Sequence, residues 1–281
     1  MKILSGHARL AGVMGWPVAH SRSPRLHGYW LAHHDVDGAY LPLAVKPENL
    51  GLALKALPAM GLAGVNLTVP HKTAALALMD RVSEEARRIG AINTVVVGAD
   101  GRLAGSNTDA YGFLAHLRSA VPGWRAGNGA AVLLGAGGAA RAVAVALLDA
   151  GIGELRIANR TADHAQALAA SLGPHVKAVP WEARDAALAD AGLLVNSTTL
   201  GMSGQPPLKI SLERLPGAAI VYDIVYVPLE TPLLAAARRR GNPTVDGLGM
   251  LLHQAVPGFA AWFGVTPEVT PELREFLLAT L

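Results

Sequence analysis

Apolar residues fall along this chain in short uninterrupted runs, separated by longer stretches in which they recur every three or four positions. Runs such as Ala130-Ala131-Val132-Leu133-Leu134 are too short and too apolar for surface helices and read as buried strands. The longer stretches carry helical spacing. Strands are predicted at 9–14, 39–45, 64–68, 94–98, 130–134, 154–158, 193–196 and 220–224. Helices are predicted at 24–34, 50–57, 73–78, 109–120, 139–150, 162–171, 232–240, 250–263 and 271–278. That alternation is the rhythm of βαβ units, so the expected class is α/β with mostly parallel sheets. Two joints interrupt it, Gly105-Ser106-Asn107-Thr108 and Gly241-Asn242-Pro243. They predict a first domain made of residues 1–108 plus 246–281 and a second, residues 109–245, inserted into it. A ligand is expected in a cleft between the two.

Composition narrows the class. Of 281 residues 51% are hydrophobic and 16% charged, which excludes a disordered chain. The longest uncharged apolar stretch, 247–267, is broken by His253, Gln254, Pro257 and Gly258, so no membrane span is expected. The first residues carry no apolar core or small-residue cleavage site, which predicts no export signal. Cysteine is absent, which removes disulfides, thiolate metal sites and cysteine nucleophiles and fits a cytoplasmic protein. The ten histidines show no metal-ligand spacing, so no metal is expected. A net charge of +3 is too small to imply nucleic-acid binding, and Arg238-Arg239-Arg240 reads as the solvated end of a helix.

The sharpest local signal is a strand running into Gly135-Ala136-Gly137-Gly138-Ala139-Ala140 and then a helix. Gly135 permits a tight turn, Gly137 lets backbone approach a pyrophosphate, Ala140 allows close helix–sheet packing, and the helix N-terminus faces the negative charge. The alternative is a glycine-rich turn that binds nothing. About twenty residues on, at the end of the next strand, an NAD site would place an acid for the ribose hydroxyls. This chain has Asn159-Arg160-Thr161, in which Arg160 can pair with a 2′-phosphate, so NADP is the predicted cofactor. An ordinary polar loop is the competing reading.

A second set of polar residues clusters at strand ends and helix starts. In Ser21-Arg22-Ser23-Pro24, Ser23 reads as an N-cap with proline at the first helical position, but that leaves Ser21 without a role. Two hydroxyls beside free helix amides can hold a small carboxylate. In the run Gly64-Val65-Asn66-Leu67-Thr68-Val69-Pro70-His71-Lys72, Asn66 and Thr68 share a strand face, and Lys72 follows the C-terminal end, where ligands of open α/β sheets bind. Lys72 is there a candidate acid/base, against the alternative of a solvated surface lysine. Asn93 precedes another strand, and Thr108 or Asp109 either caps a helix or serves a site.

Taken with Asn196-Ser197-Thr198-Thr199-Leu200-Gly201-Met202, the stretch from Asp223 to Pro232, and Asp246-Gly247-Leu248-Gly249-Met250 through His253-Gln254-Ala255, these blocks resemble the shikimate dehydrogenase family. They run in order from about residue 12 to 255. The resemblance implies a substrate domain completed by the last helices, a Rossmann domain, and NADPH-dependent reversible reduction of 3-dehydroshikimate to shikimate in aromatic amino acid biosynthesis. It implies Lys72 and Asp109 as the catalytic pair, with Ser21, Ser23 and Thr68 on the substrate carboxylate. Asn66, Asn93 and Gln254 would surround the ring oxygens, and Tyr226 would reach the substrate from the cofactor side. Toward NADP it implies Gly135, Ala136, Gly137, Gly138 and Ala139 at the pyrophosphate, Asn159, Arg160, Thr161 and His164 at the adenosine phosphate, and Ile224, Gly247 and Met250 at the nicotinamide. Relatives often carry Arg or Lys where this chain has His164, and usually Ala where it has Ser197.

The nearest competing reading is a quinate/shikimate dehydrogenase using NAD or NADP, against which the acid-free Asn159-Arg160-Thr161 argues. From another class, a non-catalytic metabolite sensor can occupy the same fold, but it would have no need of both Lys72 and Asp109. The expected partner is a small-molecule substrate, with no nucleic acid or membrane, and the expected state is a monomer or homodimer.

Overall fold

The computed structural model describes residues 3–279. Those residues divide into two compact units, one made of 3–109 and 252–279, the other Ala110–Leu251.

The first unit holds β1 (Arg9–Gly15), α1 (Ser23–His33), β2 (Gly38–Ala44), α2 (Leu50–Ala56), β3 (Leu62–Leu67), β4 (Arg81–Val82), α3 (Glu84–Ile89), β5 (Thr94–Val97) and β6 (Leu103–Ser106). Its sheet has the order β2-β1-β3-β5-β6-β4. β1 runs parallel to β2 and β3, and β4 parallel to β6, while β5 is antiparallel to both its neighbours. One face is packed by an aliphatic core that includes Met14, Leu50, Leu54, Val65, Leu67, Ile92 and Val95. The other carries an aromatic layer in which Trp30, Tyr40, Phe259 and Trp262 surround His27. The chain order reverses at β1, flanked by β2 and β3, and such a reversal leaves a crevice at the strands' C-terminal ends.

The helix expected at 73–78 is instead a 3-10 turn over Ala74–Leu78. Five residues give too few bonds to hold an α-helix against the bend into β4, and Leu76 N–H bonds Thr73 carbonyl three residues back.

The second unit begins in α4 (Asp109–Ala120) and continues through β7 (Ala130–Leu134), α5 (Gly138–Asp149), β8 (Leu155–Ala158), α6 (Ala162–Leu172), β9 (Val176–Val179), β10 (Ala191–Asn196), β11 (Ile220–Asp223), α7 (Pro232–Arg239) and β12 (Thr244–Val245). Its sheet is parallel throughout, in the order β12-β11-β10-β7-β8-β9, the doubly wound Rossmann arrangement with its reversal between β7 and β10. Helices on both faces explain why β7 is buried at every position and reads as a continuous apolar run rather than an alternation. The units divide within α8 (Leu248–Phe263), and α9 (Pro271–Leu278) completes the first. Among the described residues no helix is long and apolar enough to cross a membrane.

Candidate active site

Three segments of the first unit bring the polar residues together. After β3 the chain turns, with His71 N–H on Thr68 carbonyl at 2.8 Å, and Lys72 carbonyl accepts from Ile92 N–H at 2.8 Å. Lys72 is thereby pinned beside Asn93. Asn93 N–H bonds Ser106 carbonyl at 3.1 Å, which aligns it with the residues that lead into α4. There Asn107 Oδ1 accepts from Asp109 N–H at 2.9 Å, so Asn107 meets the free amide at the helix start. The Asp109 carboxylate is not a cap. Its Oδ2 accepts from Lys72 Nζ at 2.5 Å, and its Oδ1 from Asn93 Nδ2 at 2.8 Å.

Lys72 is thus not a solvated surface lysine; its side chain is 23% exposed and that of Asp109 8%. A partly buried pair of this kind is weak evidence for stability, but it leaves an ammonium with one face open and the other anchored. Gln254 Oε1 lies 3.4 Å from Asn93 Nδ2, and Asn66 Nδ2 donates to Asn93 carbonyl at 3.0 Å, so Lys72, Asp109, Asn93, Gln254 and Asn66 form one cluster. Thr68 lies just past β3 rather than within it. A Cβ at Gly15 would meet the Thr68 methyl at 2.4 Å, so the glycine at the end of β1 makes room for it.

The N-cap expectation for Ser23 is corrected. Arg22 occupies the cap without a side-chain bond, Ser23 is the first helical residue, and Ser21 Oγ accepts from Ser23 N–H at 3.3 Å. The proline needs no amide partner, and the hydroxyl two residues earlier suffices for Ser23.

In the second unit Gly135 stands at the end of β7 with φ +111°, and a Cβ there would lie 2.6 Å from Ser197 Oγ across the β7/β10 reversal. Ser197 Oγ donates to Leu134 carbonyl at 2.6 Å, so the departure at this position ties the turn down. At Gly137 and Gly138 an added Cβ would meet nothing within 4 Å among the described residues. The chain's own packing therefore does not call for glycine at either position, and the backbone before α5 is open to close approach. Ala136 and Ala139 flank the same turn, and Ala140 is fully buried.

Beyond β8, Arg160, Thr161 and His164 are exposed, and Asn159 Nδ2 donates to Thr161 carbonyl at 2.8 Å. Arg156, four residues earlier, is committed to Glu154 and Asp190. Arg160 forms no ion pair among the described residues, so its guanidinium is available to a phosphate. Ile224 and Gly247 are in close approach, a Cβ on Gly247 falling 2.2 Å from Ile224 carbonyl oxygen. Met250 is buried, and Tyr226 is half-buried in the loop after β11.

Residues 13–95 match the model of the shikimate dehydrogenase substrate binding domain, and residues 123–203 that of shikimate / quinate 5-dehydrogenase. A shikimate dehydrogenase (NADP+) of Paramagnetospirillum magneticum is 60% identical over 276 residues, covering 98% of this chain and 100% of that protein. The chain belongs to the shikimate dehydrogenase family. Among solved members, the Thermus thermophilus shikimate 5-dehydrogenase in complex with NADP(H) and shikimate is 41% identical, with TM-score 0.86 over 97% of this chain and 100% of that one. The quinate dehydrogenase of Corynebacterium glutamicum in complex with NAD is 35% identical, with TM-score 0.90 over 97% and 99%. Fold alone does not separate shikimate from quinate dehydrogenases, so the choice rests on side chains.

One network in this shikimate dehydrogenase relative was not assigned from sequence. Asp223, fully buried at the end of β11, accepts from Asn196 Nδ2 at 2.9 Å, Val225 N–H at 3.1 Å and Thr231 Oγ1 at 2.7 Å, fastening both ends of the 224–231 loop that carries Ile224 and Tyr226. Burial pushes its carboxyl up from 3.8 to about 6, against the pull of those donors. The folded state therefore holds a proton that the unfolded chain releases. Its contribution to stability is full below about pH 3.8 and is lost as pH rises through about 6. Asp223→Asn carries no charge at any pH. In thermal melts, the midpoint of the wild type is expected to fall relative to that of Asp223→Asn between pH 4 and 7 (roughly the window set by these values); parallel curves would exclude this assignment.

Proposed function

We propose that this chain catalyses the reversible NADPH-dependent reduction of 3-dehydroshikimate to shikimate, with Lys72 and Asp109 as its catalytic pair. The observation that carries the reading is the Lys72–Asp109 contact of 2.5 Å at the C-terminal end of β3, within a cluster of buried amides. A ketone that receives hydride becomes an alkoxide and needs a proton as it forms. Lys72 donates that proton to the carbonyl oxygen, and in the reverse direction takes it from the alcohol. Asp109 accepts a hydrogen bond from Lys72 and keeps the ammonium aimed, while Asn93 holds Asp109 from the other side. Bound NADPH supplies the hydride.

The substrate carries one carboxylate. Ser21, Ser23 and Thr68 bind it with neutral hydroxyls, which avoids burying a full counter-charge. Asn66, Asn93 and Gln254 serve the ring oxygens, and Tyr226 is a further substrate residue. Gly135, Ala136, Gly137, Gly138 and Ala139 hold the pyrophosphate, Asn159, Arg160, Thr161 and His164 the adenosine phosphate, and Ile224, Gly247 and Met250 the nicotinamide. The same reading takes the protein as a cytoplasmic monomer or homodimer working in aromatic amino acid biosynthesis.

The test is reduced-nicotinamide absorbance with purified protein and each pairing of shikimate or quinate with NADP or NAD. Turnover is expected with shikimate and NADP. Comparable turnover of quinate with NAD would favour the quinate dehydrogenase reading, and silence in all four would favour a sensor.

A further inference from the structure

The amides of Asn66 and Asn93 have only one workable orientation, and it starts at a residue outside every motif above. Asn93 carbonyl can only accept, so Asn66 must turn Nδ2 toward it, at 3.0 Å, and that nitrogen also donates to Thr94 Oγ1 at 3.1 Å. Asn66 Oδ1 consequently faces Tyr40, whose hydroxyl donates to it at 2.6 Å. Thr94, having accepted from Asn66, donates to Asn93 Oδ1 at 2.9 Å, next to Thr108 N–H at 2.8 Å. Asn93 is left with Nδ2 toward Asp109, whose other oxygen holds Lys72. The bonds run in one sense from Tyr40 to the catalytic carboxylate, an arrangement in which each bond polarises the next.

Tyr40 is itself held rigidly. Its ring stacks on His27 with centroids 3.9 Å apart and planes within 5°, and it lies against Trp262. Both His27 ring nitrogens are buried without a hydrogen-bond partner among the described residues, and burial pushes its imidazole down to about 3, so it serves as a neutral aromatic plate. Burial also pushes the Tyr40 phenol well above its usual range, which keeps it a donor.

We propose that Tyr40 is a positioning residue for the substrate, acting through Asn66. This rests on the substrate reading above and sharpens it. Both Nδ2 hydrogens of Asn66 are used within the protein, so Asn66 offers a ligand the second lone pair of Oδ1 and accepts from a ring hydroxyl. Without the Tyr40 hydroxyl that buried oxygen loses the donor that fixes it.

Tyr40→Phe removes the hydroxyl and retains the ring and its stack. The expected result is a rise of about tenfold in KM for shikimate, the scale of one mispositioned hydrogen bond, with KM for NADP unchanged. Added to Asn66→Ala, the same substitution is expected to raise KM by no more than about twofold further, as for two groups acting in series. An unchanged shikimate KM in Tyr40→Phe, with or without a lower melting midpoint, would overturn the proposal, as would an equal rise in both backgrounds. Wild-type protein inactive toward shikimate would overturn the substrate reading together with it; an active wild type beside an unaltered Tyr40→Phe overturns this proposal alone.

Discussion

Replacing Lys72 by alanine is expected to lower kcat for shikimate oxidation by roughly a hundred- to ten-thousand-fold, the usual scale for loss of a general acid/base. KM for shikimate should move little, because the hydroxyls and amides proposed to bind the ring and carboxylate are untouched. The protein should still fold. Asp109 keeps Asn93 as a donor, and its backbone amide stays on Asn107, so the loss of Lys72 does not leave the carboxylate without a partner. Lys72→Arg should fail to restore the rate, since a guanidinium keeps its charge but does not give up its proton near neutral pH. Asp109→Asn differs in kind: it leaves the ammonium in the crevice without its anchor, so kcat should fall through misplacement rather than loss of the proton donor. Steady-state rates at saturating NADP, with melts as a fold control, check all three. A Lys72→Ala protein turning over near the wild-type rate would take Lys72 out of the chemistry.

How much of this was readable beforehand depended on whether a residue's role is local. Lys72, Asn93 and Asp109 each follow or precede a strand, and strands of an open α/β sheet deliver their ends to one crevice, so position along the chain was nearly enough. Gly135 and Gly137 were legible because a strand, a glycine turn and a helix are adjacent in sequence. Tyr40 was not, because an aromatic residue in a strand reads as core, and its buried position in β2 bears that out; only the distant Asn66 gives its hydroxyl a purpose. Asp223 lies within a sequence block, but its role depends on Asn196 and Thr231, which only the fold brings to it.

The missed elements were short ones. β4 and β12 have two residues each and exist only because a neighbouring strand pairs with them. β6 and α3 did leave signals. Asp100-Gly101 lies between β5 and β6, where such a pair favours a tight hairpin turn. In α3, Ser83 caps Ala86 N–H, acids lead, arginines follow, and Gly90 closes the helix in the left-handed region at φ +73°.

Arg160→Ala is expected to weaken NADPH binding by roughly ten- to a hundredfold, the worth of a charge-assisted hydrogen bond to a phosphate. NADH binding should change by less than about twofold, because NADH has no 2′-phosphate for Arg160 to meet. The other cations near β8 are committed elsewhere. Arg156 is neutralised by Glu154 and Asp190, and Lys177 is bound to Glu154 at 2.5 Å. His164 is exposed and stands where relatives often carry an Arg or Lys, so this chain has no second guanidinium or ammonium at that position. Arg160 therefore bears most of the clamp, and the loss on its removal should be larger here than where a second guanidinium shares the phosphate. His164→Arg should accordingly tighten NADPH without affecting NADH, and both effects should shrink with added salt because the site is exposed. Titration of nicotinamide fluorescence with each cofactor, for the wild type and both variants, measures the six affinities directly. Equal losses for NADPH and NADH in Arg160→Ala would assign Arg160 to the shape of the β8–α6 loop instead, and would return the choice between NADP and NAD to the backbone around Asn159 and Thr161.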